Sequence, residues 1–133
     1  MSNNTTNHNL LICKTCASVW QDGKRIGESG GEKLWQKLQQ LAENWDLYHN
    51  FPIQAVECMS ACNRSCVIAF IAENKITYLF GDLSVENSPE EILQCASKYY
   101  HHPDGFLPWA ERPESLKNGI LAKIPPIKGT KKL

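Results

Sequence analysis

The chain has 133 residues, of which 42% are hydrophobic and 21% charged, enough to bury the core of one domain and too apolar for wholesale disorder. Fourteen basic residues balance fourteen acidic ones, which argues against a nucleic-acid partner, because phosphate binding calls for a basic excess. The longest apolar run, residues 67–72, is far too short to cross a bilayer, so no membrane partner is expected, and residues 1–6 lack the basic start of a secretory signal.

Residues 1–9 are polar and are expected to form a disordered leader. Asn9-Leu10-Leu11-Ile12 then reads as a short buried strand running into Cys13. Residues 17–32 carry Gly23, Gly27, Gly30 and Gly31 and read as a loop. A helix is expected over 32–45, where Leu34, Trp35, Leu38, Leu41, Ala42 and Trp45 recur at helical spacing. After Pro52, residues 53–57 read as a second strand that ends at Cys58, and residues 58–66 as a loop with a helical turn. Residues 67–71 have the length and β-branched content of a strand. Glu73-Asn74-Lys75 makes a turn, and residues 76–80 return as the hairpin partner.

Ser88, Pro89 and Glu91 mark the start of a second helix. Ser88 is expected to cap it, Pro89 suits the first helical position, and Glu91 completes a capping box. Its apolar face is Ile92, Leu93, Ala96 and Tyr99, and it ends near Tyr100. Residues 103–133 hold five of the seven prolines and read as an extended C-terminal extension packed on the domain through Leu107, Trp109, Leu116, Ile120 and Ile124. The element order strand, helix, strand, strand, strand, helix predicts an α/β domain over residues 10–102, one central mixed sheet flanked by helices.

Six cysteines are the unusual number. Without an export signal the expected compartment is the cytoplasm, where structural disulfides are rare. Five of the six fall into two groups, Cys13-Lys14-Thr15-Cys16 and Cys58-Met59-Ser60-Ala61-Cys62-Asn63-Arg64-Ser65-Cys66, and each group follows a predicted strand. If those strands are parallel neighbours, both loops emerge at one end of the sheet. Convergent thiolates in a loop-built pocket suit a soft metal or an iron–sulfur cluster. Small residues at Thr15, Ser60 and Ala61 let backbone N–H groups approach the sulfurs. Four thiols serve one tetrahedral site or one simple cluster. The preferred ligands are Cys13, Cys16, Cys58 and Cys62, with Cys66 as an alternate or supporting thiol; Cys95 reads as a buried core residue.

The spacing Cys13-x-x-Cys16, then a helix and a strand, then Cys58-Met59-Ser60-Ala61-Cys62, resembles the thioredoxin-like 2Fe-2S ferredoxins and the related cluster-binding subunit of bacterial respiratory complex I. In those proteins the first pair is spaced more widely. The stretch from Leu11 to Pro126 is closer still to a family of small, functionally uncharacterised proteins called predicted metal-binding proteins. The resemblance rests on the two cysteine groups, on Tyr78-Leu79-Phe80-Gly81-Asp82-Leu83, on Asp104-Gly105-Phe106-Leu107-Pro108-Trp109, and on Arg112-Pro113 and Ile124-Pro125-Pro126. It implies a thioredoxin-like fold, a cysteine-bound metal centre, and a homodimer of the kind such ferredoxins often form.

The leading expectation is a 2Fe-2S electron carrier or redox sensor, with no catalytic residue and an unidentified redox protein as partner. A structural or metal-handling zinc site is the second reading, since Cys-x-x-Cys pairs are common zinc ligands. A thiol–disulfide oxidoreductase is the third, because Cys13 and Cys16 follow a strand as a redox pair does. His8, His49, His101 and His102 read as leader, surface and helix-end residues, and Trp35 and Trp45 as core.

Overall fold

A computed structural model describes residues 8–14, 19–27, 29–57, 66–86, 88–117 and 119–126. The chain runs through β1 (His8–Cys13), β2 (Val19–Gln21), β3 (Lys24–Ile26), α1 (Gly30–Ala42), β4 (Ile53–Val56), β5 (Ile68–Ala72), β6 (Thr77–Phe80), α2 (Pro89–His101) and β7 (Ile120–Ile124), with short 3-10 turns at Trp109–Glu111 and Glu114–Leu116. Five strands form one mixed sheet in the order β4-β1-β5-β6-β7, and β2 and β3 form a separate hairpin. β1 and β4 are parallel, with Leu10 opposite Ile53 and Cys13 opposite Val56. The other pairings in the sheet are antiparallel.

Alternation along the strands sets the two faces. Leu10 and Ile12 of β1, Ile68 and Phe70 of β5, and Tyr78 and Phe80 of β6 join Leu34 and Leu38 of α1 and Ile92, Ala96 and Tyr99 of α2 in one core. Both helices therefore cover the same face. On the opposite face Cys13 and Val67 form a small buried cluster with Leu79 and Leu121. This is the α/β arrangement that the order of elements predicts, and it fits the thioredoxin-like fold that the resemblance implies. Among the described residues, no helix is long and apolar enough to cross a membrane.

Three local expectations are corrected. The first strand starts at His8, one residue before the expected Asn9, and the two pair with Ala72 and Ile71 of β5. His8 is buried against Phe51 and Tyr100, so it is a core residue and not part of a polar leader. Residues 1–7 lie outside the described residues. The stretch 17–32 is not only a loop, because Asp22 and Gly23, with φ of 53° and 78°, turn β2 into β3. Two consecutive positive φ values make the tight hairpin turn for which Asp-Gly is the strongest short signal. Ser88 does not cap α2 with its side chain. Its φ of −98° and ψ of −20° are helical, whereas a capping serine needs an extended backbone. Its hydroxyl donates instead to the Ser84 carbonyl, and Glu91 accepts from the backbone and hydroxyl of Ser115. Those two bonds hold the Glu91 carboxyl below the usual range. α2 is closed at its other end by the buried Lys75, whose ammonium donates to the carbonyls of Tyr99 and Tyr100 at 3.0 and 2.7 Å.

The C-terminal extension enters the sheet. β7 pairs with β6, placing Ile124 opposite Thr77 and Ile120 opposite Phe80. Leu107 and Leu116 are buried, and the Leu107 N–H donates to the Tyr78 hydroxyl at 2.9 Å. Tyr78→Phe leaves that buried N–H without an acceptor, so it is expected to cost about 1–3 kcal/mol and to raise hydrogen exchange in the extension before the rest of the sheet.

Burial also fixes an alkaline limit. It pushes the Cys95 thiol up to about 12, while an unfolded thiol ionises near about pH 8.5. Above that pH the unfolded chain releases a proton that the folded chain retains, so stability falls as pH rises toward the folded value. Cys66 and Tyr99 shift in the same direction, chiefly by burial. Urea midpoints are expected to fall between about pH 8 and pH 10.5, and Cys95→Ala is expected to shallow that slope.

Candidate metal centre

The site begins with three strand ends. β1 ends at Cys13 and β4, its parallel neighbour, at Val56. The Lys14 N–H donates to the Val56 carbonyl at 2.7 Å, and the Cys13 N–H to the Val67 carbonyl at 3.0 Å. Cys66 and Val67 lead into the antiparallel β5, so they enter at the same end of the sheet. One end of the sheet thus receives Cys13, the chain on its way into Cys58 after Glu57, and the chain returning at Cys66. Cys16, Cys58 and Cys62 lie outside the described residues, as does Arg64.

Cys13 is fully buried and packs with Val67, Leu79 and Leu121. Cys66 is 3% exposed and packs into the main core beneath the helices. Its backbone exchanges hydrogen bonds with Leu83. Burial, then the neighbouring Cys13 and Glu86, push the Cys66 thiol up to about 11. The two thiols therefore join different apolar clusters. Cys95 is fully buried in α2, as expected for a core thiol.

The N-terminus of α1 is docked on this end of the sheet. Ser29 is extended and caps the helix: its hydroxyl accepts from the Glu32 N–H at 3.0 Å, and the Glu32 carboxylate accepts from the Ser29 N–H at 2.9 Å. The same hydroxyl donates to the Lys14 carbonyl. Gly31 lies so close to β1 that a Cβ there would overlap the Cys13 carbonyl oxygen. The N-terminus of α1 is thereby held against the backbone carbonyls of Cys13 and Lys14, while the Cys13 side chain packs on the opposite face of the sheet with Val67. Lys14 adds a cation and meets Glu57 at 3.6 Å. That exposed pair contributes little stability, but it ties the end of β1 to the end of β4.

A cavity of about 220 Å³ lies between α1 and these strand ends, lined by Lys14, Glu32, Trp35, Gln36, Ala55 and Glu57. The Trp35 indole N–H is buried there without a hydrogen-bond partner. Such an orphan costs about 1–3 kcal/mol and calls for an acceptor at the site. Cys13 and Cys66 reach this end of the sheet, but the residues lining the cavity include no cysteine, and among the described residues no three or more His, Cys, Asp or Glu side chains are gathered as a metal-holding group.

Sequence reasoning missed Ser29, Gly31 and Trp35 as parts of this site. Ser29 was legible, since Ser-x-x-Glu before an apolar run is a capping box, and it moves the helix start back from the expected residue 32. Gly31 and Trp35 carry no such local signal.

These features define a thioredoxin-like domain with cysteines at the ends of its central strands. The chain belongs to the family described as "Protein of unknown function (DUF1636)", whose model matches residues 10–126. No curated protein matches it. Among solved structures it is similar to a thioredoxin-like 2Fe-2S ferredoxin from Aquifex aeolicus, at 16% identity and a TM-score of 0.57, covering 87% of this chain and 91% of that one. A second structure, of the wild-type thioredoxin-like 2Fe-2S ferredoxin from Aquifex aeolicus, matches at 17% identity and a TM-score of 0.50, covering 86% and 96%. At such identities the likeness is one of fold.

Proposed function

We propose that this protein holds a 2Fe-2S cluster at the ends of β1 and β4 and serves as a one-electron carrier or redox sensor. The observation that carries this reading is the arrival of Cys13, of the chain entering Cys58 and of the chain leaving at Cys66 at one end of the sheet. Cys13, Cys16, Cys58 and Cys62 are the ligands in this reading, and Cys66, buried in the main core, is the alternate thiol. When bound, the cluster supplies a one-electron couple. The chain's own part is to hold the thiolates, oppose their charge with Lys14 beside Cys13 in the chain, and keep water away with the apolar packing around Cys13. No general acid or base is required, so the protein acts as a carrier and not as an enzyme. Its partner is a redox protein and not a nucleic acid, its compartment the reducing cytoplasm, and a homodimer is its expected assembly.

Two features weigh against the competing readings. Both helices pack on the sheet through a large apolar core that, among the described residues, holds none of the four preferred ligand cysteines, which speaks against a structural zinc as the fold's organiser. The β2–β3 hairpin lies between Cys13 and α1 in the chain, so α1 does not start at the cysteine pair as the helix of a thioredoxin-type redox pair does.

The test is the visible spectrum of protein purified without oxygen, with iron, sulfide and zinc assayed on the same sample. A red-brown protein with two irons and two sulfides per chain is the expected result. A colourless protein with one zinc per chain would overturn the cluster in favour of a zinc site. A colourless protein that stays metal-free after reconstitution would favour thiol–disulfide exchange.

A further inference from the structure

We infer that His102 is a pH-sensitive latch: its neutral imidazole holds the turn that opens the C-terminal extension, and protonation of the ring in mild acid releases that turn. The inference stands apart from the cluster reading, since it uses no cysteine. His102 closes α2 with its backbone N–H, which donates to the Lys98 carbonyl at 3.2 Å. Its ring serves the residues that follow. Nδ1 accepts from the Asp104 N–H at 3.0 Å and from the Phe106 N–H at 3.3 Å. A ring nitrogen that accepts carries no proton, so the imidazole is neutral with its hydrogen on Nε2. Acid places a second proton on Nδ1, and that proton takes the lone pair that both N–H groups share. The turn in this form therefore excludes the charged ring. A histidine changes charge near about pH 6.5, and this one is only partly buried, so it is open to solvent protons.

The turn is a junction of several elements. The Asp104 carbonyl accepts from the Ile76 N–H at 3.0 Å, just before β6, and the Gly105 N–H donates to the His102 carbonyl at 3.1 Å. Gly105 has a φ of 74°, and a Cβ there would lie 2.6 Å from the Tyr99 ring and 3.2 Å from the Lys75 Cβ. Two residues on, Leu107 is tied to Tyr78. Release of the turn thus reaches α2, the β5–β6 turn and the extension together. The charged groups around it are Asp104 within the turn, Lys98 and His101 on α2, Lys75 between β5 and β6, and Lys123 on β7. Lys75 is engaged with the Tyr99 and Tyr100 carbonyls and Lys98 with the Glu111 carbonyl. Lys123 lies over the Phe106 ring at 4.8 Å, and His101 meets the Tyr100 ring edge-on. His102 is the titrating group on which the two N–H bonds converge. Order in the turn is present above the histidine range and lost as pH falls through it.

The test is a series of ¹H–¹⁵N spectra of the full chain as purified, from about pH 7.5 to about pH 5.5. The amide signals of Asp104 and Phe106 are expected to shift with the same midpoint as the His102 ring signal. Protection of the Phe106 and Leu107 amides, corrected for the intrinsic pH dependence of exchange, is expected to drop about 2- to 10-fold on the acid side. His102→Asn supplies an acceptor oxygen that does not titrate, and it is expected to keep the alkaline-side signals throughout. His102→Phe removes the acceptor, and it is expected to show the acid-side protection already at about pH 7.5. His101→Asn is the control and is expected to leave the transition in place. Asp104 and Phe106 signals that do not follow the His102 ring overturn the inference, as does a transition that survives in His102→Asn. Should the variants at 102 fail to fold, the titration of the unaltered chain decides by itself.

Discussion

Gly31→Ala is expected to destabilise the protein by about 3 kcal/mol or more, lowering Tm by about 10 °C for a chain of this size. Gly31 sits in the first turn of α1, and its backbone is pressed against β1. An added methyl would overlap the Cys13 carbonyl oxygen and come within 3.0 Å of the Lys14 carbonyl oxygen. Both obstacles are backbone, so no side-chain rotation relieves them. The helix must lift from the sheet, and the bond from the Ser29 hydroxyl to the Lys14 carbonyl lifts with it. Because the displaced atoms belong to Cys13 and its neighbour, metal retention is expected to fall together with stability. Thermal unfolding and iron content measured on one preparation check both effects. A Gly31→Ala protein as stable as the original would mean that α1 is not seated against β1 in this way.

Cys58→Ser and Cys62→Ser are each expected to remove nearly all cluster absorption, and Cys13→Ser to do the same. A hydroxyl replaces a thiolate in a set with four places, and the loss is chemical rather than a failure to fold. Cys13 does contribute packing with Val67, so circular dichroism should accompany that variant. Cys95→Ala is the control. Its thiol lies in α2 within the main core, so the variant is expected to lose about 1 kcal/mol by leaving a small cavity and to keep the cluster. Cys66→Ala is expected to keep the metal as well, since Cys66 packs among core residues, whereas Cys13 lies in the smaller cluster. A Cys95→Ala protein that stayed folded but lost its iron would overturn the ligand assignment, as would a Cys58→Ser protein that retained its full spectrum.

By itself the sequence determined what depends on near neighbours along the chain. The strands at 53–56, 68–72 and 77–80 and both helices fall within a few residues of their expected places, because apolar periodicity records which side of each element faces a core. The two cysteine groups were likewise legible as candidate ligands, since spacing alone sets thiols a few residues apart. What the tertiary structure decided are the choices between distant partners. Only the sheet order makes β1 and β4 parallel neighbours, and that adjacency brings Cys13 to the end of the sheet from which the chain enters Cys58. Only the pairing with β6 turns part of a proline-rich extension into β7. Ser88 and Glu91 had the right local pattern for a cap, yet Ser115, 24 residues beyond Glu91, took the carboxylate. The close seat of Gly31 on Cys13 and the unpaired Trp35 N–H are of the same kind. Backbone pairing and close packing join residues far apart in sequence, and no local pattern records which of several compatible partners will be met.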